Sequence, residues 1–185
     1  MLAALILLAV LVVVVLWVVG AYNGLIGLKN QVANAWKQID VQLKRRHDLI
    51  PNLVNAVKGA MDFERSTLDA VISARNRAVG ASGVRQTAQA EGELTQALGR
   101  LFALTEAYPD LKATGNVMQL QEELTSTENK IGFARQLYND VATQYNTRQA
   151  TFPTLLVAGL AKASPAELWE ISDDAERAVP TVNLS

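Results

Sequence analysis

The chain has 185 residues and a formal net charge of −1, and half of its residues are apolar. It has no cysteine and one histidine, which excludes disulfides, thiolate nucleophiles and cysteine-based zinc or iron–sulfur sites. A ferritin-like di-iron centre is excluded too, because it needs two Glu-x-x-His pairs. The basic residues form no wide face of the kind that nucleic-acid binding requires. We therefore expect no cofactor, no metal site and no nucleic-acid partner.

The first predicted element is a membrane anchor over residues 1–21. Residues 1–19, in MLAALILLAVLVVVVLWVVGAY, are all apolar, and as a helix they would span about 28 Å, close to the hydrocarbon thickness of a bilayer. Trp17 and Tyr22 occur where interfacial aromatic side chains are expected, so we assign them to the membrane interface. A cleaved signal peptide is the alternative, because Val19-Gly20-Ala21 has the small residues of a cleavage site.

The residues that flank the anchor predict its orientation. No Lys or Arg precedes the apolar stretch, whereas Lys29 and Lys37 follow it before the first acidic residue, Asp40. The positive-inside rule then predicts a single-pass protein of the bacterial inner (cell) membrane, with the N-terminus outside and the rest cytoplasmic.

After the anchor, apolar residues recur every three or four positions, which is typical of amphipathic helices. We predict an all-α fold in which the transmembrane helix continues into an antiparallel up-down four-helix bundle. The bundle domain is placed at 22–153, with helices at about 22–45, 48–79, 83–107 and 116–149.

The fourth of these helices has the most regular apolar stripe. Its members alternate steps of three and four, as in a coiled-coil seam of about four heptads; they are Val117, Leu120, Leu124, Thr127, Ile131, Ala134, Tyr138, Val141 and Tyr145. The stripe is interpreted either as the inward face of the bundle or as a zipper between chains.

The segment DVQLKRRHDLIPNLVN (40–55) contains the only histidine. We predict a helix junction here, formed by Arg45, Arg46, His47, Asp48 and Pro51. Asp48 is a suitable N-cap, and Pro51 would then fall in the first helical turn, where proline is tolerated. A general base or pH sensor at His47 is the alternative, although adjacent His and Asp residues do not face each other on a helix.

A second polar stretch, TSTENKIGFARQLYND (125–140), lies in the middle of the fourth helix. Its candidate polar network or partner contact comprises Thr127, Glu128, Asn129, Arg135 and Asn139. Buried polar groups need partners, since an unsatisfied one costs about 1–3 kcal/mol. The stretch either fixes the helix register or recognises a partner.

The last predicted region is residues 154–185. It begins with the apolar run TLLVAGLA (154–161) and continues into an acidic tail at 166–178. In an up-down bundle the fourth helix returns towards the membrane. The apolar run would therefore lie on the membrane or pack on the base of the bundle.

Two long blocks of sequence resemble a known family. YNGLIGLKNQVANAWKQIDVQLKRRHDLIPNLVNAVKG (22–59) and MQLQEELTSTENKIGFARQLYNDVATQYNTRQATFP (118–153) are similar to the signatures of the LemA family of bacterial membrane proteins. The resemblance covers roughly residues 20 to 160 and the closing VPTVNL. It implies a single N-terminal span and a four-helix bundle without a cofactor, and it brings no accepted catalytic residues. Some members are associated with membrane organisation or organelle formation, and some resemble lipoproteins, from which this chain departs at Ala21.

These observations lead to one expected function and two alternatives. We expect a non-enzymatic protein that contacts the lipid bilayer and forms homo-oligomers as a scaffold or membrane organiser. The first alternative is an adaptor or sensor that binds another membrane protein. An enzyme is the third, because a bundle fold is compatible with many functions.

Overall fold

The computed structural model describes residues 1–58, 64–108 and 115–170, which are mostly helical and contain no strand. The helices are α1 (Leu2–Lys58), α2 (Arg65–Gly80), α3 (Val84–Thr105), α4 (Gly115–Ala150) and α5 (Leu155–Ala158). The predicted all-α class, with an N-terminal apolar helix that continues into the helical domain, is confirmed. The acidic tail beyond residue 170 and the closing VPTVNL lie outside the described residues.

The predicted helix junction at Arg45, Arg46, His47, Asp48 and Pro51 is wrong, because α1 runs without a break through these positions. Pro51 has no backbone N–H, so the carbonyl of His47, four residues earlier, loses its helical partner. Arg75 of α2 replaces that partner: its Nε donates to the His47 carbonyl oxygen at 3.1 Å. The predicted second helix (48–79) is therefore divided between the end of α1 and α2.

The first part of α1 is long and apolar enough to cross a bilayer. None of the side chains in its most apolar stretch is buried, and Trp17 and Tyr22 are exposed. A soluble core helix would bury such a stretch, so this exposure is typical of a helix whose partner is lipid.

Two compact units make up the chain. The first unit comprises Met1–Asp40 and Phe133–Leu168, and the second comprises Val41–Gly132 together with Trp169 and Glu170. In the first unit, the rings of Trp36 and Tyr138 meet edge to face with centroids 5.5 Å apart. Leu25 and Tyr145 share a second apolar cluster further along the same helices. Residues earlier in α1 therefore pack against residues later in α4, so the two helices are antiparallel in this unit.

In the second unit, four helices share one apolar core. α1, α2, α3 and α4 all contribute; the core residues are Ile50, Leu53, Val54, Val57, Leu68, Val71, Ala74, Ala78, Ala90, Leu94, Leu98, Leu101, Val117 and Leu124. A short turn joins α2 to α3, and Gly83 adopts the positive φ of 81° that this turn requires. The packing is that of a four-helix bundle.

The regular stripe of α4 faces inward. All nine of its members, from Val117 to Tyr145, are buried or half-buried within this one chain. The stripe is therefore a core face, which leaves other surfaces for any contact between chains.

Candidate functional site: a buried charge cluster in the second unit

The most unusual feature of the second unit is a cluster of buried charges. The guanidinium of Arg46 lies 3.1 Å from Oε2 of Glu91 and 3.0 Å from Oε2 of Glu128. Its second terminal nitrogen donates to the hydroxyl of Thr95 at 2.8 Å. The side chains of Arg46 and Glu91 are each only 4% exposed. One buried cation from α1 is thus held by carboxylates from α3 and α4.

His47 completes the cluster. Its Nε2 lies 2.6 Å from Oε1 of Glu91, so one carboxylate joins two adjacent residues of α1 through its two oxygens. An ionised carboxylate only accepts hydrogen bonds, so Nε2 carries the hydrogen in this pair. Glu91 thus bonds to His47 through Oε1 and to Arg46 through Oε2.

The continuity of α1 explains how the cluster forms. Because Arg75 satisfies the carbonyl that Pro51 leaves free, the helix keeps its phase from Arg46 and His47 into the buried residues Ile50 and Leu53. Arg46 and His47 therefore project from the same side of α1 as the apolar core. A break at residue 48 would release the two side chains from that side.

A shallow cleft adjoins the cluster. It has a volume of about 200 Å³, and it is lined by Arg46, Thr95, Leu98, Gly99, Phe102, Leu124, Thr125, Glu128 and Asn129. Pockets for drug-sized ligands are larger, at about 300–1,000 Å³. The lining does not include His47, whose Nε2 is already bonded to Glu91. The cluster joins α1 to α3 and α4, and the imidazole of His47 is not among the groups that line the cleft.

The other residues of the predicted junction lie on the surface. Arg45 is 3.7 Å from Glu123 of α4, and Lys44 pairs with Asp48 one turn along α1 at 3.2 Å. Asp48 caps no helix, because it lies inside α1. Exposed pairs of this kind contribute about 0–1 kcal/mol each.

The predicted polar stretch of α4 is divided between the two units. Glu128 joins the buried cluster, Asn129 lines the cleft, and the buried hydroxyl of Thr127 donates to the carbonyl of Glu123 at 2.8 Å. Arg135 and Asn139 belong to the first unit.

Sequence reasoning missed Glu91, Thr95 and Arg75. Glu91 had a detectable signal, because it lies three residues before Leu94 and in phase with the apolar stripe of α3. A carboxylate on an apolar stripe predicts a buried charge that needs a cation. Nothing in the local sequence indicates that this cation is Arg46 of α1, which lies 45 positions before Glu91.

The first unit holds a different kind of polar contact. The hydroxyl of Tyr138 donates to the backbone carbonyl of Glu167 at 2.7 Å. Burial raises the pKa of this phenol above its ordinary value of 10.0, and the negative charge of Glu167 raises it further. Asn146 makes two bonds to the backbone of Ala166, one donated at 2.9 Å and one accepted at 2.8 Å.

The described ranges contain no cluster of side chains that could bind a metal ion. Within residues 1–58, 64–108 and 115–170, no three or more His, Asp or Glu side chains are grouped so that they could hold an ion. Fold and site together define a class: a helical protein with a long apolar N-terminal helix and a fastened helical bundle.

Comparison with known proteins identifies the family. The LemA family profile matches residues 35–184. Protein LemA from Metamycoplasma hominis is 30% identical over 142 residues, 76% of this chain and 64% of that protein. Magnetosome protein MamQ 2 from Paramagnetospirillum magneticum is 22% identical, over 80% of this chain and 64% of that protein. For Magnetosome protein MamQ from Magnetospirillum gryphiswaldense the identity is 24%, over 71% of this chain and 58% of that protein.

The chain belongs to the LemA family, and it is a membrane-associated helical protein. It spans just under two thirds of the length of these relatives. The family match begins at residue 35, after the apolar stretch. The assignment therefore rests on the helical domain, and the anchor is an independent feature of this sequence.

Proposed function

We propose that this chain is a non-enzymatic scaffold that is anchored by its N-terminal helix and assembles into homo-oligomers on the membrane. The resemblance to the LemA family implies membrane organisation for some members. Two of the relatives carry the name magnetosome protein, which agrees with an organising role. The activity of the full-length relatives is not transferred, because the chain spans only part of them.

An exposed apolar pair on α4 carries the proposal. Phe133 is 74% exposed and Leu137 is 44% exposed, and their spacing of four places them on one face of the helix. Full burial of a side chain of this size contributes about 1.5–3 kcal/mol. Self-association about a two-fold axis would bury both residues of both copies.

The inward position of the α4 stripe supports this choice of surface. Since all nine stripe residues are covered within the chain, they are not free to form a zipper with a second copy. Phe133 and Leu137 point away from the stripe, beside the buried Ala134 and Tyr138. An oligomer would therefore form through the outer face of α4.

Orientation follows from the same sequence rule as before. Lys29 and Lys37 are exposed on α1 after the apolar stretch, so we propose that the helical domain is cytoplasmic. Protease protection of a C-terminal tag in intact cells tests the assignment. If protease added from outside digests the tag, the helical domain lies outside the cell and the proposed orientation is wrong.

Measurement of particle mass tests the assembly. The full chain is reconstituted in lipid nanodiscs, and its copies per disc are counted by light scattering. We expect two or more copies for the wild type and one for Phe133→Ser/Leu137→Ser. Val79→Ser is the matched control, because Val79 is also an exposed apolar residue but lies on α2; it should behave as the wild type. A wild-type monomer would contradict the proposal.

The same surface would also seat a different membrane protein, which is the adaptor alternative. Crosslinking in native membranes, followed by mass spectrometry, separates the two. Crosslinks from α4 to further copies of this chain support the scaffold, whereas crosslinks mainly to other proteins favour the adaptor.

His47→Ala tests the enzyme alternative, since a complete loss of function with an intact fold would require a chemical role for the imidazole.

A further inference from the structure

The segment 152–160, which follows α4, has apolar side chains on two faces. Phe152 and Pro153 are joined by a cis peptide bond, and the short helix α5 follows. Four residues at helical spacing are buried: Thr154, Val157, Ala158 and Ala161. Between them lie large apolar residues that point outward. The segment therefore has one apolar face that is buried in the chain and a second that is exposed.

The outward face is large for such a short segment. Its members are Phe152 (80% exposed), Leu155 (55%), Leu156 (68%) and Leu160 (70%). Single exposed apolar side chains are common on soluble proteins. Four within nine residues concentrate exposed apolar surface in one short segment, and such a concentration marks a surface that contacts something apolar.

The inner face places this patch next to the apolar N-terminal helix. Ala158 and Ala161 pack in one cluster with Leu25, and Ile26 and Leu28 pack against that cluster. Leu25 is six residues beyond Val19, the last residue of the unbroken apolar stretch, which is about 9 Å along the helix axis. The exposed apolar stretch of α1 thus ends within two helical turns of the residues on which the segment rests.

Cations border the same region. Lys29, one turn beyond Leu25, is exposed, and so is Lys162. Lys162 ends the segment in a left-handed turn with φ of 46°, in which its N–H donates to the Gly159 carbonyl and the N–H of Ala163 donates to the Ala158 carbonyl. This Schellman-type turn usually contains glycine. Lysine here places a positive charge at the level where lipid phosphates would lie.

We propose that segment 152–160 lies in the membrane interface, with Phe152, Leu155, Leu156 and Leu160 inserted among the lipids that surround the N-terminal helix. Amphipathic segments of this kind enter the boundary between headgroups and acyl chains by about 5–10 Å. The chain would then contact its bilayer twice, through the spanning helix and through this segment. The contact does not depend on oligomerisation, so it stands or falls separately from the scaffold.

The absence of cysteine makes a direct test simple. Leu156→Cys and Leu160→Cys give single-cysteine chains, which are spin-labelled in lipid nanodiscs. Label depth is read from the ratio of collisions with oxygen to collisions with a water-soluble nickel chelate. Lys37→Cys is the control, because Lys37 is exposed on α1 about 22 Å beyond Tyr22 along the helix.

The expected ratio is several-fold higher at positions 156 and 160 than at position 37. Equal ratios at the three positions would overturn the proposal. Protection of 156 and 160 from both reagents, with spin–spin broadening, would also overturn it, since a second copy would then cover the patch. Leu155→Cys gives an independent reading if either of the other labelled chains fails to fold.

Discussion

The two units of the chain keep their packed elements together by different means. In the second unit, charged side chains from three helices meet at Arg46, with Glu91 buried between Arg46 and His47. In the first unit, uncharged side chains of α4 bond to the backbone of the chain near residues 166–167. One unit joins helix to helix, and the other fixes an irregular segment onto a helix.

The difference predicts two kinds of response to substitution. Removal of one member of a buried charge cluster leaves the remaining buried charges with fewer partners, which destabilises the whole unit. Loss of a bond to an irregular segment frees only that segment, because local opening requires less free energy than global unfolding. Burial alone therefore does not determine how much of the chain one contact supports.

Glu91→Ala should have the largest effect. It leaves His47 without its acceptor and Arg46 with Glu128 as its remaining carboxylate, so the loss should approach the roughly 3–5 kcal/mol that breaking a buried pair costs. Urea unfolding of the full chain in detergent, followed by circular dichroism, measures the loss. Glu93→Ala is the control: Glu93 forms an exposed pair with Arg77 at 2.9 Å, which contributes about 1 kcal/mol or less. Similar losses of unfolding free energy for the two variants would mean that the buried cluster does not hold the helices of the second unit together.

Arg75→Met should come next, at about 1–3 kcal/mol, because the partly buried carbonyl of His47 then has no donor. Pro51→Ala restores a backbone N–H for that carbonyl. In the Pro51→Ala background, Arg75→Met should therefore cost less. The double-mutant cycle should give a coupling of at least about 0.5 kcal/mol, while independent effects would refute our account of how α1 continues through Pro51.

The same residues show what sequence could predict. Periodicity located α3 and α4 well, since 83–107 and 116–149 nearly coincide with Val84–Thr105 and Gly115–Ala150. It placed a junction at Asp48 because Asp48 and Pro51 have the local chemistry of a helix start. The donor that keeps the helix intact, Arg75, lies 28 positions from His47, and no local pattern reports such a contact.

The candidate site was predictable only in part. Arg46 and His47 stand out in the sequence because the histidine is unique and the cations are adjacent, but local chemistry assigns both to a helix junction. Glu128 was expected in a polar network along α4, yet its partner, Arg46, lies on α1. Side-chain chemistry indicated which residues matter, and tertiary packing determined which of them meet.

Asn146→Ala tests the first unit on a smaller scale. The variant removes both bonds to Ala166, about 1–3 kcal/mol in a partly buried setting. Hydrogen exchange should become faster in the segment that follows α4 and stay unchanged in α2 and α3. Thr147→Ala, an exposed neighbour on α4, should leave the exchange of all these regions as in the wild type. Faster exchange throughout the chain would erase the contrast between the units.

Tyr138→Phe should show the smallest effect, and one that depends on pH. Because the folded chain holds the phenol proton more tightly, the unfolded chain loses that proton first as the pH rises above about 10. The stability that Tyr138 contributes is therefore fully present below pH 10 and declines as the pH rises through the folded pKa. Denaturation midpoints of wild type and variant at pH 8 to 11 should converge. A constant difference would show that the phenol does not titrate as its burial predicts.

The central claim is that the outer face of α4 joins copies of this chain in the membrane. Phe133→Cys provides a single-cysteine chain, and mild oxidation of native membranes should give a disulfide-linked dimer. Val79→Cys, exposed on α2, should remain monomeric under the same conditions. A Phe133→Cys chain that stays monomeric, although its thiol reacts fully with a soluble maleimide, would contradict the claim.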